Sequence, residues 1–259
     1  MRVIRVKYLD KTFYAQLVDS EAVLCLNKAL GLDAPIPLSQ VTLLPVVWPT
    51  KIVCVGVNYR EHAQEMDKAV PAEPLLFLKP PSAIIGNGQA IVLPGQSGQV
   101  DHEAELALVM GQVCRNITPE EAPGCIFGYT CANDVTARDL QRRDVQFTRA
   151  KGFDTFAPLG PWIETDVPDP AALSVRCLVN DEVRQNGHTS TMIVKPFELV
   201  SFISKVMTLL PGDVVLTGTP SGVGPLRHGD EVRVEIEGVG LLINSVEAES
   251  AGSDGVPLQ

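Results

Sequence analysis

Two glutamates stand two residues apart inside an apolar stretch, VDHEAELALVMG, which runs from Val100 to Gly111. Residues i and i+2 of a β-strand point to the same face, so this spacing predicts that the Glu103 and Glu105 carboxylates stand side by side. The residues that follow on both faces, from Leu106 to Met110, are apolar, which predicts a strand covered on both sides. Burying two like charges without a partner costs on the order of several kcal/mol. A compensating group is therefore expected.

A divalent cation is the simplest compensation. Carboxylates favour hard ions such as Mg²⁺ or Mn²⁺, and surroundings poor in Cys and His disfavour zinc. A third carboxylate is needed, and GYTCANDVTARDLQ supplies Asp134 directly after an apolar, strand-like run. Asp139 is the competing candidate, but it follows Arg138 and is expected to pair with it. In the alternative interpretation, both glutamates reach solvent or bind Arg side chains.

A second pair of reactive residues lies upstream, in GVNYREHAQEM. Asn58 followed by Glu61 is a capping signature, which predicts a short helix over residues 59–66. His62 and Glu65 are then i and i+3 on one face, within contact distance. A carboxylate bonded to one imidazole nitrogen orients the ring and strengthens it as a base that activates water. The alternative is a surface histidine beside a helix-stabilising glutamate.

Two further loops have residues suited to a small anionic ligand. LTGTPSGVG, residues 216–224, has three glycines that would let backbone amides and the Thr219 hydroxyl reach oxygen atoms. It lacks the Gly-Lys-Ser/Thr ending of a phosphate loop, so the alternative is a plain turn. In RAKGFDTFAPLGPW, Lys151 could neutralise an anionic substrate, or it could be a solvated surface lysine.

The elements around these residues are mainly short strands with few helices. Apolar runs at residues 51–57, 74–79, 90–95, 104–111, 173–180, 214–218 and 231–246 predict strands. PFELVSFISKVMTL predicts a helix that begins at Pro196. Residues 1–47 predict a small N-terminal β domain, residues 48–248 the main catalytic domain, and residues 249–259 a disordered tail. The expected fold is a mainly β, mixed sheet or roll.

Composition narrows the class of function. The chain has 259 residues and a formal net charge of -10, which disfavours nucleic acid and anionic membranes as partners. Its start carries no secretory signal, and no apolar run is long enough to span a bilayer. Six cysteines lie mostly in apolar runs without a CxxC pair, which is typical of reduced thiols in a cytoplasmic protein.

The order of the motifs carries more information than any one of them. VGVNYREHAQEM, EPLLFLKPPSAIIGNG, VDHEAELALVMG, GYTCANDVTARDLQ, AKGFDTFAPLGPW and PGDVVLTGTPSGVG follow one another along the chain. Over residues 51–246 this pattern closely resembles the fumarylacetoacetate hydrolase family in its shorter form. The resemblance implies a mixed β-roll with a small N-terminal β domain, assembled as a homodimer.

The resemblance also implies roles for individual residues. Glu103, Glu105 and Asp134 match the family's Mg²⁺- or Mn²⁺-binding carboxylates. His62 and Glu65 match a pair that activates water on a mobile lid. Lys151, Gln141 and Thr219 match positions that hold the substrate's carboxylate and oxo groups, with Lys151 also counted among the catalytic residues. Val57 stands where some relatives have a polar or basic residue, which leaves the substrate preference open.

The implied substrates are small 2-oxo acids. The leading expectation is metal-dependent hydrolysis of a C–C bond in an acylpyruvate, with oxaloacetate decarboxylation as an added activity. The alternatives are an isomerase or decarboxylase acting on 2-hydroxyhepta-2,4-diene-1,7-dioate in aromatic degradation and, in another class, a non-catalytic metal-dependent binding protein. Glu103→Gln is expected to weaken metal binding and, by relieving repulsion, to stabilise the metal-free protein.

Overall fold

The computed structural model describes residues 1–250, which form twenty strands and five α-helices. The strands are β1 Arg2–Tyr8, β2 Lys11–Leu17, β3 Ala22–Cys25, β4 Ile36–Pro37, β5 Thr42–Leu44, β6 Ile52–Gly56, β7 Leu75–Lys79, β8 Ile84–Ile85, β9 Ile91–Leu93, β10 Val100–His102, β11 Ala104–Met110, β12 Ile126–Asn133, β13 Thr136–Ala137, β14 Ala157–Glu164, β15 Ser174–Val179, β16 Glu182–His188, β17 Val214–Leu216, β18 Gly224–Pro225, β19 Glu231–Ile236 and β20 Gly240–Ala248. The α-helices are α1 Arg60–Glu65, α2 Ala122–Cys125, α3 Arg138–Arg143, α4 Thr148–Lys151 and α5 Pro196–Val206, and shorter 3₁₀ helices cover Lys28–Leu30, Leu38–Gln40, Pro81–Ala83 and Thr189–Thr191.

Most strands belong to one large mixed sheet. Its order is β4-β3-β2-β1-β14-β12-β11-β17-β6-β7, with β5 beside β1 and β8 beside β14. Neighbours are mostly antiparallel, while β17 and β6 run parallel. A five-stranded sheet has the order β16-β15-β19-β20-β9, and a three-stranded sheet has the order β13-β10-β18. The expectation of a mainly β, mixed fold is confirmed.

Strand β11 lies in the interior of the large sheet, and all seven of its residues are buried. Leu106, Leu108 and Met110 belong to one apolar cluster, whereas Ala107 and Val109 belong to another. The strand is therefore covered on both faces, as its apolar alternation predicts. Any charge at its N-terminal end is held in a place that water reaches poorly.

The first strands extend the large sheet through the pairing of β1 with β14, where Arg2 lies opposite Glu164. They also enclose an apolar cluster of their own, which includes Val6, Phe13 and Val23. The domain boundaries at residues 47 and 248 stay predictions. Residues 251–259 of the predicted disordered tail lie outside the described residues, and Glu249 is hydrogen-bonded to Leu93 and Gly95.

Helix α5 begins at Pro196, as predicted, and its apolar positions at Leu199, Val200 and Ile203 are buried. The sequence analysis missed β14, because the Gly160-Pro161 dipeptide inside it resembles a turn. It also missed α2, α3 and α4, which have four to six residues and are too short for a helical period to register. No helix within residues 1–250 is long and apolar enough to cross a membrane.

Candidate metal and acid–base site

Three buried carboxylates converge at the N-terminal end of β11. Glu103 lies between β10 and β11, Glu105 is on β11, and Asp134 directly follows β12. One oxygen from each lies within 4.8 Å of the others. The register explains the convergence: Ala104 pairs with Asn133, and the Asp134 amide donates to the Glu103 carbonyl at 2.8 Å. Three hard oxygen donors suit Mg²⁺ or Mn²⁺.

Cationic side chains surround two of the three carboxylates. Lys151 Nζ lies 3.0 Å from Glu103 Oε2 and 2.6 Å from Asp134 Oδ2. Arg138 Nη2 lies 2.5 Å from Glu103 Oε1, and Lys79 Nζ lies 2.7 Å from Asp134 Oδ1. Burial alone would raise the pKa of Glu103, but the charges of Lys151 and Arg138 outweigh it and hold this pKa well below its usual range.

Glu105 has a different environment. Its Oε2 accepts from the Gly218 amide at 2.6 Å, and no Lys or Arg within the described part of the chain forms an ion pair with it. Burial and the negative charges of Asp134 and Glu103 raise its pKa well above the ordinary value. A buried carboxyl group that lacks a cationic partner within the described residues fits a site where Glu103, Glu105 and Asp134 would hold a divalent ion.

The competing carboxylate, Asp139, faces away from this cluster. It accepts from Ser97 Oγ at 2.6 Å and from the Gly98 amide at 3.0 Å. The predicted Arg138–Asp139 pair is wrong, because Arg138 Nε instead donates to Asp101 at 2.8 Å. Both residues are in α3, where successive side chains point about 100° apart, so one turns inward and the other outward.

The predicted acid–base pair forms on α1. His62 Nδ1 lies 3.0 Å from Glu65 Oε2, and Glu65 Oε1 accepts from the Gly222 amide at 2.9 Å. A carboxylate can only accept, so Nδ1 carries the hydrogen, and in the neutral ring Nε2 then keeps its lone pair. His62 is only 6% exposed. The alternative of a surface histidine is therefore wrong, although Glu65 itself is exposed.

The predicted capping role of Asn58 is wrong. Helix α1 begins at Arg60, with Tyr59 at the N-cap position and no capping side chain. The Asn58 side chain instead accepts from the Val194 amide at 2.9 Å and donates to the Val194 and Thr217 carbonyls at 3.0 and 2.7 Å. These partners are more than a hundred residues away in the chain, so local spacing could not reveal them.

A cavity of about 340 Å³ joins the two groups of residues. Its lining includes seven of the predicted site residues, namely His62, Glu103, Glu105, Asp134, Gln141, Lys151 and Thr219. Glu65 is behind His62 and completes the set of eight. Val57 also lines the cavity, with a backbone φ of 57°, a conformation that is rare for a β-branched residue and found at strained functional positions.

Three of these side chains have neighbours that bear on their predicted roles. Gln141 Oε1 accepts from Arg138 Nη1 at 2.9 Å, which leaves its amide nitrogen to donate to a ligand. Thr219 Oγ1 donates to the Ala104 carbonyl at 2.8 Å and accepts from Gln185 Nε2 at 2.7 Å. The Thr219 hydroxyl therefore holds its loop against β11, and its contact with substrate stays a prediction, as do the roles of Gln141 and Lys151.

The sequence analysis missed several polar residues that build this site. Lys79 is 1% exposed and also donates to the Lys151 carbonyl at 2.6 Å. In the sequence, the one indication of this role was that Lys79 is a single charged residue at the end of an apolar strand. Gln185 accepts from the Ala104 amide at 2.9 Å and contacts His102 Nδ1 at 3.1 Å. It lies in an exposed-looking polar strand, and nothing in its spacing distinguishes it.

Comparisons with known proteins identify the family of this chain. The model of the fumarylacetoacetate (FAA) hydrolase C-terminal family matches residues 51–247. The human mitochondrial oxaloacetate tautomerase FAHD2B is 44% identical over 252 residues, which cover 92% of this chain and 80% of that protein. The structure of 2-hydroxyhepta-2,4-diene-1,7-dioate isomerase from Mycobacterium marinum is 43% identical, with a TM-score of 0.87, and covers 97% of this chain and 100% of the other.

A third relative was solved with ligands in place. Maleylpyruvate hydrolase from Sphingobium sp. SYK-6, in complex with manganese(II) and pyruvate, is 33% identical with a TM-score of 0.80. It covers 96% of this chain and 100% of its own. The named activities thus include a hydrolase, an isomerase and a tautomerase on one fold. With its family match and its acidic triad, this chain belongs to the fumarylacetoacetate hydrolase family.

Proposed function

We propose that the protein is a Mg²⁺- or Mn²⁺-dependent enzyme that moves a proton beside the carbonyl of a small 2-oxo acid. Keto–enol tautomerisation of oxaloacetate is the first reaction to test. The observation that carries this proposal is His62, whose Nδ1 is bound by Glu65 and whose Nε2 is left for a ligand of the cavity that also contains Glu103, Glu105 and Asp134. The similarity to an oxaloacetate tautomerase over 92% of the chain supports it.

The chain's own residues account for the proton transfer. His62 Nε2 takes a proton from the carbon next to the 2-oxo group, the electron pair moves onto the 2-oxo oxygen, and the same nitrogen returns the proton to that oxygen. Glu65 holds the ring in the required tautomer and stabilises it while protonated. A divalent ion held by the three carboxylates would supply positive charge beside the developing negative oxygen.

Hydrolysis of an acylpyruvate is the second candidate. The His62–Glu65 pair could equally take a proton from water, and the relative solved with manganese and pyruvate is a hydrolase. In that reaction water adds to the distal carbonyl, the C–C bond breaks, and pyruvate leaves with the electron pair before it is protonated. Tautomerisation and hydrolysis differ in their products, so product analysis separates them.

The test is to follow the enol absorbance of oxaloacetate with Mg²⁺, with Mn²⁺ and with EDTA, and to analyse acetylpyruvate reactions for pyruvate and acetate. We expect metal-dependent equilibration of the enol. His62→Ala should lower its rate by about 10²-fold or more, since a positioned acid–base group contributes that much. Isothermal titration should show that the variant still binds Mn²⁺.

His228→Ala is the matched control, because His228 is exposed and does not line the cavity. It should react like the wild type. Acetate and pyruvate from acetylpyruvate, without faster enol equilibration, would assign hydrolysis instead. Metal binding with no turnover of either compound would contradict both reactions and favour a binding protein.

A further inference from the structure

The cavity has two parts of different character. Its floor is made by the acidic triad with Lys151 and Arg138. Its outer part is mostly apolar, with Met66, Pro71, Leu75, Phe77 and Phe147 in the lining. Lys68 is the one Lys or Arg of this outer part within the described cavity lining. Lys68 is exposed, and a positive charge at the mouth of a cleft attracts anionic ligands into it.

The Lys68 ammonium has no anionic partner within the described residues, since it takes part in no ion pair there. Its Nζ lies 5.7 Å from the centre of the Phe147 ring, a distance typical of a cation–π contact. Its backbone amide donates to the Ala63 carbonyl at 2.9 Å, which fixes the residue to the end of α1. The side chain is thus held near the cavity without being neutralised.

Two aromatic rings connect this ammonium to the floor. Phe147 and Phe77 are in edge contact, with centroids 5.6 Å apart and planes at 80°. Phe77 in turn lies 4.9 Å from Lys151 Nζ, which is bonded to Glu103 and Asp134. From floor to mouth, the cavity wall therefore presents four groups in order: the Lys151 ammonium, the Phe77 ring, the Phe147 ring and the Lys68 ammonium.

The charges at the floor of the cavity also affect the pKa of Lys68. Partial burial, together with the positive charge of Arg138, lowers its pKa from the ordinary value, while Glu103 raises it. The two cationic groups are near enough to repel each other. A negative group between or beside them would relieve that repulsion.

We infer that Lys68 is a specificity-determining residue that binds the distal carboxylate of a 2-oxo dicarboxylic acid, whose apolar middle lies along Phe77 and Phe147. This inference rests on the proposed function only in placing the 2-oxo acid end of the ligand at the floor. An acyl compound with a neutral tail would contact the same rings but would leave Lys68 without a partner. We therefore expect the protein to bind the dicarboxylic acid more tightly than the compound with the neutral tail.

The experiment measures binding rather than turnover. Isothermal titration gives the Kd of Mn²⁺-saturated protein for pairs of equal length that undergo no net conversion: 2-oxoadipate with 2-oxohexanoate, and 2-oxopimelate with 2-oxoheptanoate. We expect the diacid of the length that reaches Lys68 to bind about fivefold more tightly than its monoacid, the size of a partly exposed ion pair. The difference should shrink as salt is raised.

Lys68→Met should abolish this difference and leave the Kd of the monoacid within about twofold, because the methionine keeps the apolar stem but not the charge. Lys68→Arg should retain it. Lys205→Met is the control, since Lys205 is an exposed lysine of α5 that does not line the cavity. Equal affinity of the wild type for diacid and monoacid, or a difference that survives in Lys68→Met, would overturn the inference alone. Failure of every 2-oxo acid to bind would overturn it together with the proposed function.

Discussion

Glu103 and Glu105 are separated by one residue, and both are buried, yet the two sides of the acidic triad have opposite electrostatic environments. On the Glu103 side, Arg138 and Lys151 contact the carboxylate. On the Glu105 side, one backbone amide, that of Gly218, donates to it. The pKa of Glu103 is held down, whereas that of Glu105 is raised.

This difference shows which carboxylates of the triad are compensated by the protein's own cationic side chains. Cationic side chains contact both Glu103 and Asp134, and they hold the pKa of Glu103 low without a metal ion. Glu105 has no such cationic contact within the described residues, and a buried carboxylate without one is costly, so we expect it to gain most from an added cation. Metal binding should therefore be controlled mainly by Glu105, and three measurements test this difference between the two glutamates.

The largest effect is expected for Glu105→Gln on metal affinity. Losing the one uncompensated ligand charge should weaken Mn²⁺ binding by about 100-fold or more, which removes about 2.7 kcal/mol of metal-linked stabilisation at a fixed Mn²⁺ concentration. Isothermal titration and thermal unfolding with and without Mn²⁺ measure this loss. Glu247→Gln, at an exposed position, should bind Mn²⁺ as the wild type does. An unchanged Kd in Glu105→Gln would refute the metal site.

In the metal-free protein, we expect smaller effects on the free energy of unfolding, and these should have opposite signs in Glu103→Gln and Glu105→Gln. Glu103→Gln should lower the free energy of unfolding by about 2 kcal/mol, because Arg138 and Lys151 lose a charged partner in a buried place. This reverses the sequence-based expectation that the change would stabilise the metal-free protein. Glu105→Gln should instead raise the free energy of unfolding. Urea unfolding in EDTA measures both, and shifts of equal sign would contradict the comparison.

The smallest effect is on the pH dependence of the metal-free protein. A carboxyl whose pKa is raised on folding contributes stability below its unfolded value of about 4.5 and loses it as pH rises through the folded pKa. The benefit of Glu105→Gln over the wild type should therefore grow as pH rises above that value. Metal binding, which requires ionised Glu105, should release a proton.

Urea unfolding in EDTA across the pH range tests the first statement. Titration of Mn²⁺ in buffers of different ionisation enthalpy tests the second, with Glu105→Gln as the variant that releases fewer protons. A difference between wild type and variant that does not change with pH would show that Glu105 is already ionised without metal.

The predicted site residues that lie together in the structure share a local signal in the sequence. Glu103 and Glu105 broke the apolar pattern of one strand, and His62 and Glu65 were spaced for one helix face. Asp134 followed a recognisable strand, and the register of β11 with β12 brought it to the glutamates. A periodicity of two or of about 3.6 carried the information for the two pairs, and the position at a strand end carried it for Asp134.

The residues that were misread depend on contacts distant in the chain. Asn58 has the residue type and spacing of a helix cap, but its partners are Val194 and Thr217. Arg138 is adjacent to Asp139 in the chain, yet it binds Asp101 and Glu103. Which partner a polar side chain selects is decided by tertiary packing, and a single sequence does not contain that choice explicitly.

The Asn58 contacts also bear on how this enzyme could be engineered. One side chain joins the start of the His62 helix to the Val194 backbone and to Thr217, next to the glycine that donates to Glu105. A Cβ at Gly218 would lie 2.7 Å from that of Asn58, so the junction has no spare room. Replacing α1 and the residues before it with those of a relative would therefore also disturb the loop that contacts Glu105. Residues at the mouth of the cavity, such as Lys68 and Phe147, can be exchanged without touching this junction, and they are where a new substrate range should be sought.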